Sequence, residues 1–141
     1  MIVSKFGGTS VGTFEAMQRS AKIVAADRNR QLIVISATSG TTNDLVALSS
    51  EKDSTSREEI LGRIEERHLS IIEKCKEQDQ LKKEFFEEFS NLREHLDFVG
   101  RDKRWKDTLY SFGELMSTRI FVQVLNEHGV DTDWLDARQV M

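Results

Sequence analysis

A lysine and two glycines stand close together near the start of the chain, in the run Lys-Phe-Gly-Gly-Thr-Ser at residues 5–10. The apolar residues before Lys5 predict a short buried strand, and apolar residues at helical spacing follow Thr13, which is the predicted N-cap of a helix. Adjacent glycines tolerate φ > 0 and let backbone N–H groups approach a ligand, and a helix N-terminus after such a turn favours anions. Lys5 could reach the same anion. A bare turn stays open as the alternative, because short motifs often match by chance.

Glu114 and Thr42 are the other candidates for chemistry. Glu114 lies in a helix predicted over residues 107–126, where a carboxylate among apolar side chains is costly unless a partner pairs with it. The α-ammonium group of an amino acid would serve, and a side chain that simply reaches the surface is the alternative. Thr42 begins a helix predicted over residues 43–50, where hydroxyl and N–H groups suit a carboxylate, although an N-cap threonine needs no ligand.

The periodicity of apolar residues predicts the elements that hold these groups. Residues 1–50 read as β-α-β-α, which indicates a parallel sheet in a layered α/β domain. Within them, residues 31–36 form a nearly continuous apolar run, typical of a parallel strand covered on both faces. Residues from about 51 to 106 predict a solvated helical hairpin inserted into the α/β core, with a binding coil as the alternative. Residues 130–135 are expected to begin another strand.

The composition excludes several classes of protein. Asp and Glu number 24 against 20 Lys and Arg, so the basic footprint of a nucleic-acid-binding protein is missing. No apolar run approaches the roughly 20 residues that a membrane span needs. Cys75 is the only cysteine, which excludes an intramolecular disulfide and fits a reducing cytoplasm. We expect Cys75 to be inert packing and the three histidines to be solvated helix residues: His68, His95 and His128.

Three segments resemble, in order, the signature motifs of the aspartate kinase family. Residues 3–11 read Val-Ser-Lys-Phe-Gly-Gly-Thr-Ser-Val and resemble its N-terminal signature. Residues 36–43, Ser-Ala-Thr-Ser-Gly-Thr-Thr-Asn, resemble its second-strand loop, and residues 111–117, Ser-Phe-Gly-Glu-Leu-Met-Ser, resemble its S-x-G-E-x-x-S helix. The run at residues 134–138 also fits. The resemblance therefore spans the chain, and it is greatest to the monofunctional, lysine-sensitive type.

The resemblance implies a layered parallel-sheet amino-acid kinase (carbamate kinase-like) fold and transfer of the ATP γ-phosphoryl group to the side-chain carboxylate of L-aspartate. The product would be 4-phospho-L-aspartate, at the entry to lysine, methionine and threonine biosynthesis. Family members continue beyond Met141, so residues 1–141 are expected to be the N-terminal portion of the kinase domain, without the regulatory ACT domains and inactive alone. A homo-oligomeric parent enzyme is also implied.

The resemblance further assigns roles to individual residues. Lys5 would be catalytic, neutralising charge on the transferred phosphoryl group. The expected phosphate contacts are Lys5, Gly7, Gly8, Thr9 and Ser10. The expected aspartate contacts are Ser36, Thr42 and Glu114, with Thr41 as a neighbour. Mg²⁺ is implied by ATP chemistry, but no residue is assigned as its ligand. Another amino-acid kinase of the same fold, or a non-catalytic fragment that associates through its helices, remains the alternative.

Overall fold

The computed structural model describes residues 2–98 and 100–136, in which strands and helices alternate at first and four helices follow the second strand. The elements, in order, are β1 (Ile2–Phe6), a 3₁₀ turn (Gly8–Val11), α1 (Phe14–Ala25), β2 (Arg30–Ile35), α2 (Thr41–Ser50), α3 (Ser54–Ile72), α4 (Asp79–Leu96) and α5 (Lys103–Glu127). The predicted β-α-β-α order of the first fifty residues is therefore confirmed.

The two strands pair in parallel, with Lys5 opposite Val34 and Phe6 opposite Ile35. Parallel pairing requires a crossover, which α1 provides. Thr13 is the N-cap of α1, as predicted, because its hydroxyl accepts a 3.0 Å hydrogen bond from the N–H of Ala16. The consequence for function is geometric: the carboxyl ends of both strands, and the loops that follow them, lie at the same edge of the sheet.

The faces of this sheet differ, contrary to the prediction that β2 is covered on both. Ile35 is buried on one face, where the Phe6 ring meets Phe121 of α5 at a centroid distance of 6.0 Å. On the other face Val3, Leu32 and Val34 remain 50%, 41% and 43% exposed. No helix in the described part of the chain covers that second face, although the side chains there are those of a covered strand.

The helical hairpin predicted after residue 50 is confirmed as α3 and α4. Its apolar residues are not merely solvated, because α4 packs along α5 and the inward side chains of both hairpin helices join the main core. Phe86 of α4 is an exception, since its side chain is exposed. Buried apolar side chains at helical spacing along α3 and α4 include Ile60, Ile64, Ile71, Ile72, Leu81, Phe85, Phe89, Leu92 and Leu96.

The strand expected over residues 130–135 does not form. Helix α5 ends before Gly129, which has a φ of 79°, and residues 130–136 follow as an irregular segment. A strand needs a hydrogen-bonded neighbour, and β1 and β2 pair only with each other within the described ranges. Trp134 is held instead by side chains: its indole N–H donates to Thr118 Oγ1 at 2.9 Å, and its ring lies under the guanidinium of Arg119.

The prediction of solvated histidines is wrong. His68 is fully buried, its Nδ1 lies 2.7 Å from the carbonyl oxygen of Ile64, and burial lowers its pKa to about 4. His95 and His128 are half-buried and hydrogen-bond to backbone carbonyl oxygens. Cys75 is buried, as expected of inert packing, and burial raises the pKa of its thiol to about 12.

Candidate functional site

The loop after β1, residues 7–10, is called the glycine loop below. Its glycines do not adopt the positive φ that the sequence argument allowed, since Gly40 and Gly129 are the only residues with positive φ in the described ranges. Gly7 is extended, with a φ of −78°. Gly8 matters for another reason: a Cβ at that position would lie 3.0 Å from the carbonyl oxygen of Ala37. Its missing side chain therefore lets the glycine loop lie directly against the loop after β2.

The loop after β2 together with the first two residues of α2, residues 36–42, is called the threonine loop. The N–H of Ser39 donates a 3.1 Å hydrogen bond to the carbonyl oxygen of Gly8, and the N–H of Ser36 donates to Phe6 at 3.2 Å. These bonds continue the pairing of the strands past their ends. The two loops therefore lie side by side at the carboxyl edge of the sheet, where parallel α/β sheets bind their ligands.

The threonine loop leads into α2, which begins two residues earlier than predicted. Gly40, with a φ of 91°, is the N-cap, so Thr42 lies within the first turn and is not the cap itself. Thr41 is fully buried, whereas Thr42 is exposed. The first backbone N–H groups of a helix have no intrahelical partner. Thr42 therefore places a hydroxyl beside free amide donors at the positive end of a helix dipole.

Helix α5 brings the third segment, residues 111–117, against the threonine loop. A Cβ on Gly113 would lie 2.7 Å from the Cβ of Ala37, so only glycine permits this close approach. Four residues further along α5, the hydroxyl of Ser117 donates a 2.8 Å hydrogen bond to the carbonyl oxygen of Ser36. The S-x-G-E-x-x-S pattern therefore has a packing glycine and an anchoring serine around its glutamate.

Glu114 follows Gly113 directly and is exposed. Its side chain therefore reaches the surface, which was the alternative, and the prediction that the carboxylate lies among apolar side chains is wrong. The remaining predicted residues divide by exposure. Lys5 and Thr9 are exposed, Ser10 is half-buried, and the hydroxyl of Ser36 is engaged locally, 3.3 Å from the carbonyl oxygen of Ala37.

Taken together, the structure brings the three segments into contact through their backbones and glycines, and it leaves the side chains of Lys5, Thr42 and Glu114 exposed. An ammonium group, loop hydroxyls and backbone amides are the donors that bind phosphate. Hydroxyls and amide donors at a helix start bind a carboxylate, and a glutamate binds an ammonium group. The arrangement can therefore hold a phosphate and an amino acid next to each other.

Sequence reasoning missed a set of charged residues behind the threonine loop. The carboxylate of Asp44, in the first turn of α2, is buried and accepts hydrogen bonds from Arg63 and Arg67 of α3. The spacing of the two arginines, one helical turn apart, is the only signal in the sequence. It could not reveal the partner, because the register between α3 and α2 is a property of the tertiary packing.

Within residues 2–98 and 100–136 no group of three or more His, Cys, Asp and Glu side chains could hold a metal ion. No helix in the same ranges is both long and apolar enough to cross a membrane. Of the run at residues 134–138, Asp136 is buried, and residues 137–138 lie outside the described residues.

Comparison with known proteins places the chain among its relatives. The lysine-sensitive aspartokinase 3 of Escherichia coli is 40% identical over 100% of this chain, which covers 32% of that relative. A crystal structure of E. coli aspartokinase III in complex with aspartate and ADP superimposes with a TM-score of 0.95, again over 100% of this chain and 32% of that one. Aspartate kinase of Clostridium acetobutylicum, 18% identical, shares the fold with a TM-score of 0.69 over 89% of this chain and 29% of its own.

The chain thus spans about a third of the length of the E. coli relative that it matches. The parallel strands, the crossover helix and the close superposition confirm the predicted α/β fold. The family model described as the amino acid kinase family matches residues 1–141. The chain belongs to the amino acid kinase family.

Proposed function

We propose that this chain forms the aspartate-binding and phosphate-binding part of an aspartate kinase, which transfers the γ-phosphoryl group of ATP to the side-chain carboxylate of L-aspartate. The observation that carries the proposal is the convergence of three segments, in which Gly8 lies against Ala37 from one side and Gly113 from the other. The 40% identical E. coli relative was crystallised with aspartate and ADP, which supports both ligand classes.

In the aspartate half of the site, Glu114 binds the α-ammonium group and Thr42 binds a carboxylate. Glu114 is suited to this because it is exposed beside Gly113, at the point where α5 touches the threonine loop. Thr42 adds its hydroxyl to the amide donors of the first turn of α2. Ser36 contributes more weakly, since its hydroxyl already has a backbone partner.

In the nucleotide half, Lys5 and the glycine loop hold the phosphates of ATP. The backbone of Gly7 and Gly8 and the hydroxyls of Thr9 and Ser10 surround the phosphate oxygens, and Lys5 stabilises charge that develops on the transferred group. Phosphoryl transfer has a loose transition state, so positioning and electrostatics supply most of the catalysis. The attacking carboxylate is already ionised at neutral pH and needs no general base. Mg²⁺ would arrive with the nucleotide, and no residue of this chain is assigned to it.

The wider setting of the reaction belongs to the same proposal. Residues 1–141 would be the N-terminal portion of a kinase domain, and the product, 4-phospho-L-aspartate, would enter lysine, methionine and threonine biosynthesis. A homo-oligomeric parent enzyme and a cytoplasmic location go with it, the latter supported by the single, buried thiol of Cys75. Association through the hairpin helices is not favoured, because most of their apolar side chains join the core.

Calorimetric titration of the 141-residue chain with L-aspartate tests the proposal, with D-aspartate as the stereochemical control. We expect L-aspartate to bind, and Thr42→Val and Glu114→Gln each to raise its Kd about tenfold or more, because each removes one polar partner of a charged ligand. Matched substitutions at exposed positions of α3, Thr55→Val and Glu59→Gln, should leave the Kd within about twofold. Equal binding of both enantiomers, or variants that bind like the wild type, would overturn the assignment.

A further inference from the structure

The start of α2 is held from behind by a helix of the hairpin. Asp44 is only 7% exposed, and a buried carboxylate needs compensating donors. Arg67 Nη2 donates to Asp44 Oδ2 at 2.9 Å, and Arg63 Nη2 donates to Asp44 Oδ1 at 3.0 Å. Both arginines belong to α3, which the sequence alone marked as a solvated excursion. The hairpin is thereby bonded to the element that begins at the threonine loop.

Arg67 makes two further contacts that Arg63 does not show. Its Nη1 donates a 3.0 Å hydrogen bond to the hydroxyl of Thr41, which is itself 2.7 Å from the hydroxyl of Thr38. A Cβ placed on Gly40 would lie 3.1 Å from Arg67 Nη2, so the guanidinium lies against the backbone of the N-cap. The Arg67 guanidinium therefore contacts Gly40, which directly precedes α2. It also binds Thr41, the first residue of α2, and the Asp44 carboxylate one turn later.

We propose that Arg67 is a positioning residue for aspartate binding, which fixes the first turn of α2 and thereby orients Thr42. The part of this inference that concerns aspartate rests on the proposed function. Thr42 lies in sequence between the two α2 residues that Arg67 holds, Thr41 and Asp44, and it is itself exposed. A fixed first turn presents the Thr42 hydroxyl and neighbouring amides in one geometry, which lowers the entropic cost of binding.

The geometry requires arginine at this position. The guanidinium donates from Nη1 to Thr41 and from Nη2 to Asp44 in directions fixed by its planar fork, and it lies against Gly40. A lysine ammonium is a compact point charge without that fork. Arg67 is also the less exposed of the pair, with 23% of its side chain accessible against 54% for Arg63. The same conservative substitution at both positions therefore separates a general ion-pair effect from a positioning effect: Arg67→Lys and Arg63→Lys.

Amide hydrogen exchange on the ligand-free chain tests the positioning directly. The N–H of Thr41 bonds to Thr38 and that of Asp44 bonds to Gly40, so both amides report opening of the first turn. We expect Arg67→Lys to speed exchange at both by about tenfold relative to core amides of α5, and Arg63→Lys to change it by less than about twofold. Thr41→Val removes one contact of Arg67 and keeps both ion pairs of Asp44, so it should also speed exchange at these amides. If Arg67→Lys fails to fold, the exchange rates of Thr41→Val test the positioning role.

Ligand titrations on the same variants then test the link to binding. Arg67→Lys should raise the Kd for L-aspartate about tenfold while leaving the Kd for ADP within about twofold, because the hydrogen bonds of the Arg67 side chain go to α2. A general loss of folded structure would instead raise the Kd for L-aspartate and the Kd for ADP together. Unchanged exchange at Thr41 and Asp44 would overturn the positioning role. If the wild-type chain binds no L-aspartate, the proposed function fails for this chain. The exchange rates of the ligand-free chain would still show whether Arg67 fixes the first turn of α2.

Discussion

Gly113 on α5 lies against Ala37 at the start of the threonine loop, so close that a Cβ on the glycine would stand 2.7 Å from the Cβ of the alanine. The same added atom would meet Leu45 at 3.2 Å and Thr41 at 3.5 Å. This contact joins the helix that carries Glu114 to the loop that carries Thr42. The relative position of the two proposed aspartate contacts therefore depends on a residue that has no side chain.

Replacing Gly113 by alanine should destabilise the fold despite the higher helix propensity of alanine. The backbone of Ala37 or α5 must move to relieve the contact, which costs about 1–3 kcal/mol in an overpacked core. Gly62→Ala is the matched control, because it also lies in a helix and nothing is within 4 Å of its added Cβ. Gly62→Ala should raise the free energy of unfolding by about 0.5–1 kcal/mol. Urea unfolding of both variants measures the difference, and equal effects would contradict the close packing at Gly113.

Lys5→Met should lower the affinity for a nucleotide more when the nucleotide carries more phosphate groups. The ammonium group binds the terminal phosphates in the proposed site, so we expect at least about a tenfold rise in Kd for ATP, with little change for AMP, since a charged contact is worth about 1.5–3 kcal/mol. Lys22→Met, at an exposed position of α1, is the control. Calorimetry of both variants gives the Kd for ATP and the Kd for AMP. Equal losses for AMP and ATP would place Lys5 away from the phosphates.

The stability of the fold should fall as the pH is lowered from 6.5 towards 4, because of His68. Its pKa is lowered by burial from 6.5 to about 4, and its Nε2 is buried without a hydrogen-bond partner. Above pH 6.5 the imidazole is neutral in both states; below it the unfolded chain gains a proton that the folded chain excludes. The free energy of unfolding should therefore drop by up to about 3 kcal/mol across this window.

Denaturant unfolding at pH 6.5 and pH 5 measures that slope. His68→Leu should flatten it, because leucine has no proton to bind, whereas His128→Gln should leave it in place. The carboxyls whose pKa is lowered, Glu15, Asp53 and Glu58, lose their contributions mainly below this range, since their ordinary values are 4.5 or less. An unchanged slope in His68→Leu would show that His68 is not the source.

The sequence predicted well whatever depends on short-range pattern. The order of the first four elements, the Thr13 cap and the two hairpin helices all follow from apolar spacing and cap chemistry, and the structure confirms them. The alternation of strand and helix also implied that the loops after β1 and β2 meet at one edge. Site residues on those loops could therefore be named from motifs before their geometry was known.

Exposure and tertiary register were predicted poorly. Glu114 was expected among apolar side chains but is exposed, since a helix of 25 residues can direct one polar position away from a core that takes most of the others. His68 was expected to be solvated but is buried, because it lies at helical spacing from Ile64 and Ile71 on the buried face of α3. The Arg67 contacts could not be predicted, as they join residues 23 and 26 positions apart.

The most direct test of the central claim is to locate L-aspartate and ADP on the isotope-labelled chain by the shifts of its backbone amide signals. We predict that L-aspartate moves the signals of Thr42, Asn43 and Glu114 together, because the threonine loop and α5 form one site. ADP should move those of Gly7 to Ser10. Shifts confined to the outer surface of α3, or to only one of the two aspartate segments, would contradict the convergence of these segments into one aspartate site.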